Sequence, residues 1–365
     1  MASEGTTTHP RRESRPGGRR ARLVERAALG DLRPSWDRLV DKSASPTPFL
    51  KSWWIDNTAQ GEVVYLLAVD ADGSLLGGLA LQRDRVGPNG VGPDRLRSVG
   101  QPTLAPDHID VVAAAPHYPE VAAAVAGWIR EGDHVVDLDG LAASSDLPWL
   151  LDAPTVSLEA APYLPIDPVD PTGHLPGRLR STIRRSGRRL DKAGWSPRRV
   201  PVADAEPAVA RLLDLHEHRW EEDSALRTGR GRLAAALVSG ISRGDVVIHE
   251  LAREDEVIAS EVELLAGERV CFYQAGRLTD HEFRGSGSVL KAAVLEWAAE
   301  AGYREFDLLR GEESYKDDWA TRVRTVRRIR TGYGWRGAAG AAAMNTWKTL
   351  AGRLVGLRSA DPTAS

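Results

Sequence analysis

Apolar residues along the chain fall into strand-like and helix-like runs that recur in one order. Residues 61–82, GEVVYLLAVDADGSLLGGLALQ, predict two apolar strands around an acidic turn from Asp70 to Gly73. Residues 244–264, GDVVIHELAREDEVIASEVELL, repeat that form around a turn from Arg253 to Glu256. Alternating apolar runs that flank such turn residues predict a β-hairpin in each case. Downstream, 128–140 (WIREGDHVVDLDG) and 297–311 (WAAEAGYREFDLLRG) each predict a helix end, a glycine stop and a short strand closing on Asp-Leu. The order hairpin, further strand, helix, buried strand therefore occurs twice. It predicts a duplicated α/β unit, against the alternative that a generic α/β pattern has recurred by chance.

The second copy is the fuller. Val209, Leu212, Leu213, Leu215 and Trp220 have helical spacing over 206–220, and 231–242 predicts another helix. Strands follow near 245–252, 257–265 and 269–276, then the turn DHEFRGSGS, a helix from Val289 to Ala301 and a strand at 304–309. Between the copies, the proline-rich stretch APYLPIDPVDPTGHLPG at 161–177 breaks regular structure and marks a junction. The expected organisation is a basic tail at 1–22, a degenerate first unit at 23–160, a linker at 161–177, a second unit at 178–336, and a C-terminal helix and tail at 337–365. The tail has six Arg and almost nothing to bury, which predicts disorder. Ala339 to Leu357 predicts an amphipathic helix packed on the body through Trp347, Leu350 and Leu354.

A length of 365 residues has room for two such units, each with its own core. The single cysteine, Cys271, excludes an internal disulfide framework and a cysteine-rich zinc site, and fits a reducing cytoplasm. No apolar run approaches the ~20 residues that cross a bilayer. The N-terminal charges have no apolar stretch behind them, so a secretory signal is not expected and a cytoplasmic location is. The net charge of −3 carries no global polyanion-binding signal. Locally, however, nine Lys and Arg stand between 178 and 199 against one Asp. That run is either a solvated basic face or a contact for an anionic partner such as tRNA.

The stretch Arg284-Gly285-Ser286-Gly287-Ser288 runs from a strand into a helix. Glycines there admit close backbone approach, and the N–H groups at a helix start favour an anion such as a pyrophosphate. No Lys follows, so it is not a Walker A loop, and the spacing is not that of the dinucleotide fingerprint. Candidate acid–base groups nearby are Glu261, Tyr273 and Asp307, with Tyr315 and Lys316 beyond them. For Glu261 the alternative is a solvent-facing acid, as the neighbouring Glu263 suggests. For Asp307 it is a structural ion pair, and for Lys316 a plain surface charge. His216, Arg219 and Trp220 share a helix face and are candidates to line an acceptor pocket, or simply to pack. His216 and His218 do not share a face, so no metal is expected.

Four segments in order resemble the GNAT superfamily of acetyltransferases, in its CelD-like, FemAB-related branch. They are the Arg-rich RLRSTIRRSGRRLDK at 178–192, LHEHRW at 215–220, FRGSGSVL at 283–290, and FDLLRGEESYKDDW at 306–319. The family's Q/R-x-x-G-x-G/A loop falls here on Glu282-x-x-Gly285-x-Gly287. Glu282 thus stands where a cation or amide is usual, and Arg284 supplies the positive charge. The resemblance implies an α/β fold of two tandem GNAT-like units with mixed sheets. It further implies acetyl-coenzyme A as co-substrate without a metal, with Arg284 to Ser288 holding pyrophosphate and Glu261 or Asp307 as base. Tyr273, Tyr315 and Lys316 then position acceptor or thioester. The activity implied is N-acylation of a small amine or amino sugar, in envelope-polysaccharide synthesis. An aminoacyl-tRNA-dependent transferase is the first alternative, and a catalytically inactive binding or scaffold protein the second.

Overall fold

The computed structural model describes residues 21–87, 91–220 and 228–358, without the side chains of 219–220 and 347–358. The basic tail therefore lies outside the described residues, except for its last two positions. In chain order the first half holds β1 (Arg22–Arg26), α1 (Arg33–Lys42), α2 (Ser52–Thr58), β2 (Glu62–Val69), β3 (Leu75–Arg85), β4 (Asp94–Ser98), β5 (Val112–Ala113), α3 (Tyr118–Glu131), β6 (His134–Ala142), α4 (Leu147–Leu150) and β7 (Thr155–Pro165). The second half holds α5 (Gly177–Lys192), β8 (Ser196–Arg199), α6 (Ala205–Trp220), α7 (Arg230–Arg243), β9 (Val246–Arg253), β10 (Glu256–Ala266), β11 (Arg269–Arg277), α8 (Ser286–Glu300), β12 (Glu305–Asp307), α9 (Lys316–Trp319), β13 (Arg322–Gly332) and α10 (Gly334–Arg358).

All the strands but β5 lie along one sheet in the order β1-β2-β3-β4-β6-β13-β7-β12-β11-β10-β9-β8; β5 branches off by pairing with β3. Read from either edge, the order is the same: an edge strand, a hairpin, a third strand, then a strand parallel to it. The hairpins are β2–β3 and β9–β10, both antiparallel, and the parallel pairs are β4–β6 and β11–β12. The chain thus consists of two tandem GNAT-like units.

The middle of the sheet was not foreseen. The last strand of each unit crosses to the other: β13 pairs with β6, and β7 pairs with β12. The two crossing strands pair with each other, closing the seam. Residues 161–165, assigned to the linker by their prolines, are consequently the end of β7. Pro165 pairs with Glu305 at the end of the strand, and Pro162 still accepts from the Leu308 N–H through its carbonyl. The strand expected at 304–309 stops at Asp307, because Leu309 takes a left-handed backbone (φ +56°) and turns the chain out of the sheet. The C-terminal helix starts at Gly334, five residues earlier than the amphipathic pattern suggests.

The main core is shared by both units. Trp53 and Trp54 of α2 pack with Leu233 and Leu237 of α7, and Tyr273 of β11 meets Phe49 and Trp54. A second core of Leu164, Val294, Leu295, Phe306 and Trp319 lies beneath α8 and carries the floor of the site.

Candidate active site

The strands β11 and β12 pair only from Arg269–Glu305 to Cys271–Asp307. Beyond that point β11 runs on from Phe272 to Gly276 without β12 beside it, and the two strands diverge. Two cavities lie against this free stretch of β11. The larger, of about 280 Å3, is lined by Glu261, Phe272, Ala275, Arg277, Lys291 and Trp319 and by the loop residues Arg284, Gly285, Gly287 and Ser288. The smaller, of about 120 Å3, lies between Gln274 and Ala275 on one side and Leu308 to Arg310 on the other. Tyr315 lines both.

The loop geometry follows from its glycines. Gly285 has φ +86° and caps α8, so the helix begins at Ser286, three residues before the expected Val289. A Cβ at Gly285 would run into Ser186 of α5, which is why α5 can close over the loop. Arg189 of α5 also donates to the Arg284 carbonyl. The first turn of α8 carries no acid and no side-chain cap, so its N–H groups and the helix dipole are turned on the cavity mouth. Ser286 itself is fully buried and is not part of the lining.

Glu261 projects from β10 towards α8 and is 1% exposed. Lys291 of α8 donates to its Oε1 at 2.7 Å, and the Lys291 Nζ stands 3.1 Å from the centre of the Phe272 ring. Burial pushes the Glu261 carboxyl up to about 7, against the pull of Lys291 and with the help of Glu263. Burial lowers Lys291, against the pull of Glu261. Glu263 does not mark a solvent face either: it is buried, with one oxygen 2.8 Å from His249 Nδ1. The polar side of β10 lies under a helix, which is a matter of packing that alternation cannot express.

Residues 177–317 match the family model described as acetyltransferase (GNAT) domain. This stretch is a GNAT domain. No curated protein matches the chain. Among solved structures it resembles FemX, with a TM-score of 0.60 at 10% identity over 82% of this chain and 95% of that one. It also resembles the C-terminal domain of a putative lysylphosphatidylglycerol synthetase from Agrobacterium fabrum (TM-score 0.53, 13% identity, 88% and 98% covered). The L-PGS structure from Bacillus licheniformis is similar too (0.51, 12%, 79% and 89%). At such identities the likeness is one of fold. The family match makes the chain an acyl-transferring enzyme.

The GNAT domain brings Glu261, Arg284, Gly285, Gly287, Ser288 and Tyr315 around one cavity. It does not bring Asp307 there. That carboxylate is fully buried outside both cavities, accepts from Arg324 and the Leu309 N–H, and lies 2.8 Å from His108 Nε2. Burial alone would raise it, but His108, Arg324 and Arg269 outweigh burial and hold it well below the usual carboxylate range. The expectation of Asp307 as base is corrected: its proton affinity is too low, and its oxygens are committed. Tyr273 lines the smaller cavity, but its hydroxyl donates to the Leu104 carbonyl of the first unit, 3.0 Å away, and its ring packs in the shared core, so its phenol is not available for acid–base work. Burial, with Asp107 adding to it, pushes its phenol far above the ordinary value.

Lys316 is not a surface charge, and with Tyr315 it lines the smaller cavity. Buried, it donates to the carbonyls of Arg310 (2.7 Å) and Leu309 (3.2 Å), pairs with Glu313, and so holds the turn that presents Tyr315. His216 is buried behind β11, its Nδ1 3.2 Å from the Ala275 carbonyl, and backs the cavity without lining it. The side chains of Arg219 and Trp220 lie outside the described residues. Among the described residues no His, Cys, Asp and Glu cluster fits a metal ion, and no helix is long and apolar enough to cross a membrane.

Two groups escaped the sequence. Lys291 lies in SVLKAAVLEW, a segment apolar on nearly every face, where a single lysine has no obvious solvent side. That oddity was the available signal. The other is Asp107 of the first unit, which accepts from the Arg310 backbone N–H at 2.7 Å and from its guanidinium. Nothing local marks it.

Proposed function

We infer that the GNAT domain binds an acyl-coenzyme A and transfers its acyl group to a small amine, such as an amino sugar. The observation that carries this is the start of α8, glycine-lined and free of acids, opening on a cavity with a buried carboxylate in its wall. The helix amides hold the pyrophosphate, flanked by Arg277 and Arg284. The pantetheine arm follows β11 into the divergence, where main-chain groups from Phe272 to Gly276 no longer face β12. An amide there polarises the thioester carbonyl. Glu261, with a proton affinity near neutrality, removes the proton from the attacking amine, and Tyr315 lines the path to the smaller cavity. In the first unit the matching helix, α3, starts with Pro119 and Glu120 and no glycine, and the Glu120 carboxylate accepts from the Ala21 N–H. An anion is not favoured at that end.

The exposed Arg184, Arg185 and Arg188 of α5, on the helix closing over the loop, support aminoacyl-tRNA as a second donor. Binding that falls steeply with salt and needs these arginines favours that reading. Calorimetry with acetyl-coenzyme A separates the cases. Saturable binding by the wild type, lost in Gly287→Glu, supports the acyl-coenzyme A reading, because the glutamate sets a negative charge at the helix start. No binding at millimolar ligand overturns it and leaves charged tRNA as the donor.

A further inference from the structure

Lysine is almost never fully buried unless paired, and Lys291 is 5% exposed in the wall of the larger cavity. One helical turn separates it from Ser288 at the cavity mouth. Its Nζ contacts Glu261 and the face of Phe272, with the Phe306 and Trp319 rings about it. The charged and titratable groups facing the pair are Glu263 and Lys316, with His249 behind Glu263. Burial disfavours both charges, so the neutral pair, an amine beside a carboxylic acid, lies within reach of the ion pair. An amine with a free lone pair beside a proton donor is the equipment for attack on a thioester.

We propose that Lys291 is itself an acyl acceptor, modified by the thioester bound in this cavity when no external amine is present. This rests on the acyl-coenzyme A reading above. The Nζ lone pair attacks the thioester carbonyl, a C–N bond forms and the C–S bond breaks. Glu261 gives its proton to the departing thiolate and takes one from the nitrogen. In sum, one lysine ammonium and one acyl thioester yield one N-acyl-lysine, one thiol and one proton released to solvent. The amide no longer balances Glu261, and the acyl chain occupies the cavity, so the modified protein binds coenzyme A more weakly.

The test needs no knowledge of the acceptor. Full-length protein is incubated with acetyl-coenzyme A alone and read by intact mass and peptide mapping, with coenzyme binding followed by calorimetry. The expected result is one acetyl group per chain on the peptide carrying Lys291, faster as pH rises through about 7 and at least tenfold slower in Glu261→Gln. Lys291→Arg should show none, and mapping of the wild type decides the matter if that variant does not fold. Coenzyme binding with label only on exposed lysines such as Lys42 and Lys192 overturns the proposal and spares the acyl-coenzyme A reading. Absence of coenzyme binding overturns both.

Discussion

Glu261 and Asp307 are two buried carboxylates on strands separated only by β11, and their surroundings drive them in opposite directions. Glu261 meets one amine and a second carboxylate, so desolvation prevails and its pKa rises to about 7. Asp307 meets His108, Arg324 and Arg269, and attraction prevails. Such a split favours Glu261 over Asp307 as the base in the proposed reaction. With an amine acceptor in hand, kcat/KM should rise with pH through about 7 as Glu261 loses its proton. In Glu261→Gln that limb should vanish and the rate fall by about 10²–10⁴, the worth of a general base. An unchanged limb would assign it to another group. For Asp307 the lowered folded-state pKa means its stabilisation is present above the ordinary carboxylate range and lost as pH falls below about 4. Asp307→Asn should cost about 3–5 kcal/mol in denaturant unfolding, since it strands buried cations, and should flatten the acid limb of stability. Both residues were visible in the sequence as candidates. Their difference was not, because His108 and Arg324 come to Asp307 from distant segments.

At the scale of the elements, the site is made by a strand that outruns its neighbour and a helix that starts on glycine. The glycine loop, the strand before it and the helix after it were legible, since turn chemistry and periodicity are local properties. Which face of β10 is covered was not, and Glu261 with Glu263 imitated an exposed edge. The contact of α5 with the loop is equally non-local. It yields a prediction at Gly285, where φ is +86° and Ser186 stands in the way of any Cβ. Gly285→Ala should destabilise by about 1–3 kcal/mol, the usual cost of such backbone strain, and weaken acetyl-coenzyme A binding by prying α5 off the loop. Full binding with unchanged thermal stability would show that α5 does not brace this turn.

For the whole molecule, duplication was readable from the repeated order of elements, and the exchange of last strands was not. Pairings such as Asp307 with Tyr163 and Ile329 with Leu138 join distant segments, and no local pattern records them. The exchange ties the GNAT domain to its partner unit. A fragment of residues 178–336 lacks β7, and so leaves open the edges of β12 and β13 that β7 covers. It should show no cooperative thermal transition on its own; cooperative unfolding with retained coenzyme binding would refute that dependence. The first unit also holds the Arg310 turn through Asp107 and receives the Tyr273 hydroxyl on Leu104, so it braces the site from outside. The proposed coenzyme site lies in the second unit alone. Amide hydrogen exchange with and without acetyl-coenzyme A tests this most directly. Protection should appear at residues 285–290 and 272–277, with 114–121 of the first unit unchanged. Protection at 114–121 instead, or none at 285–290, would contradict it.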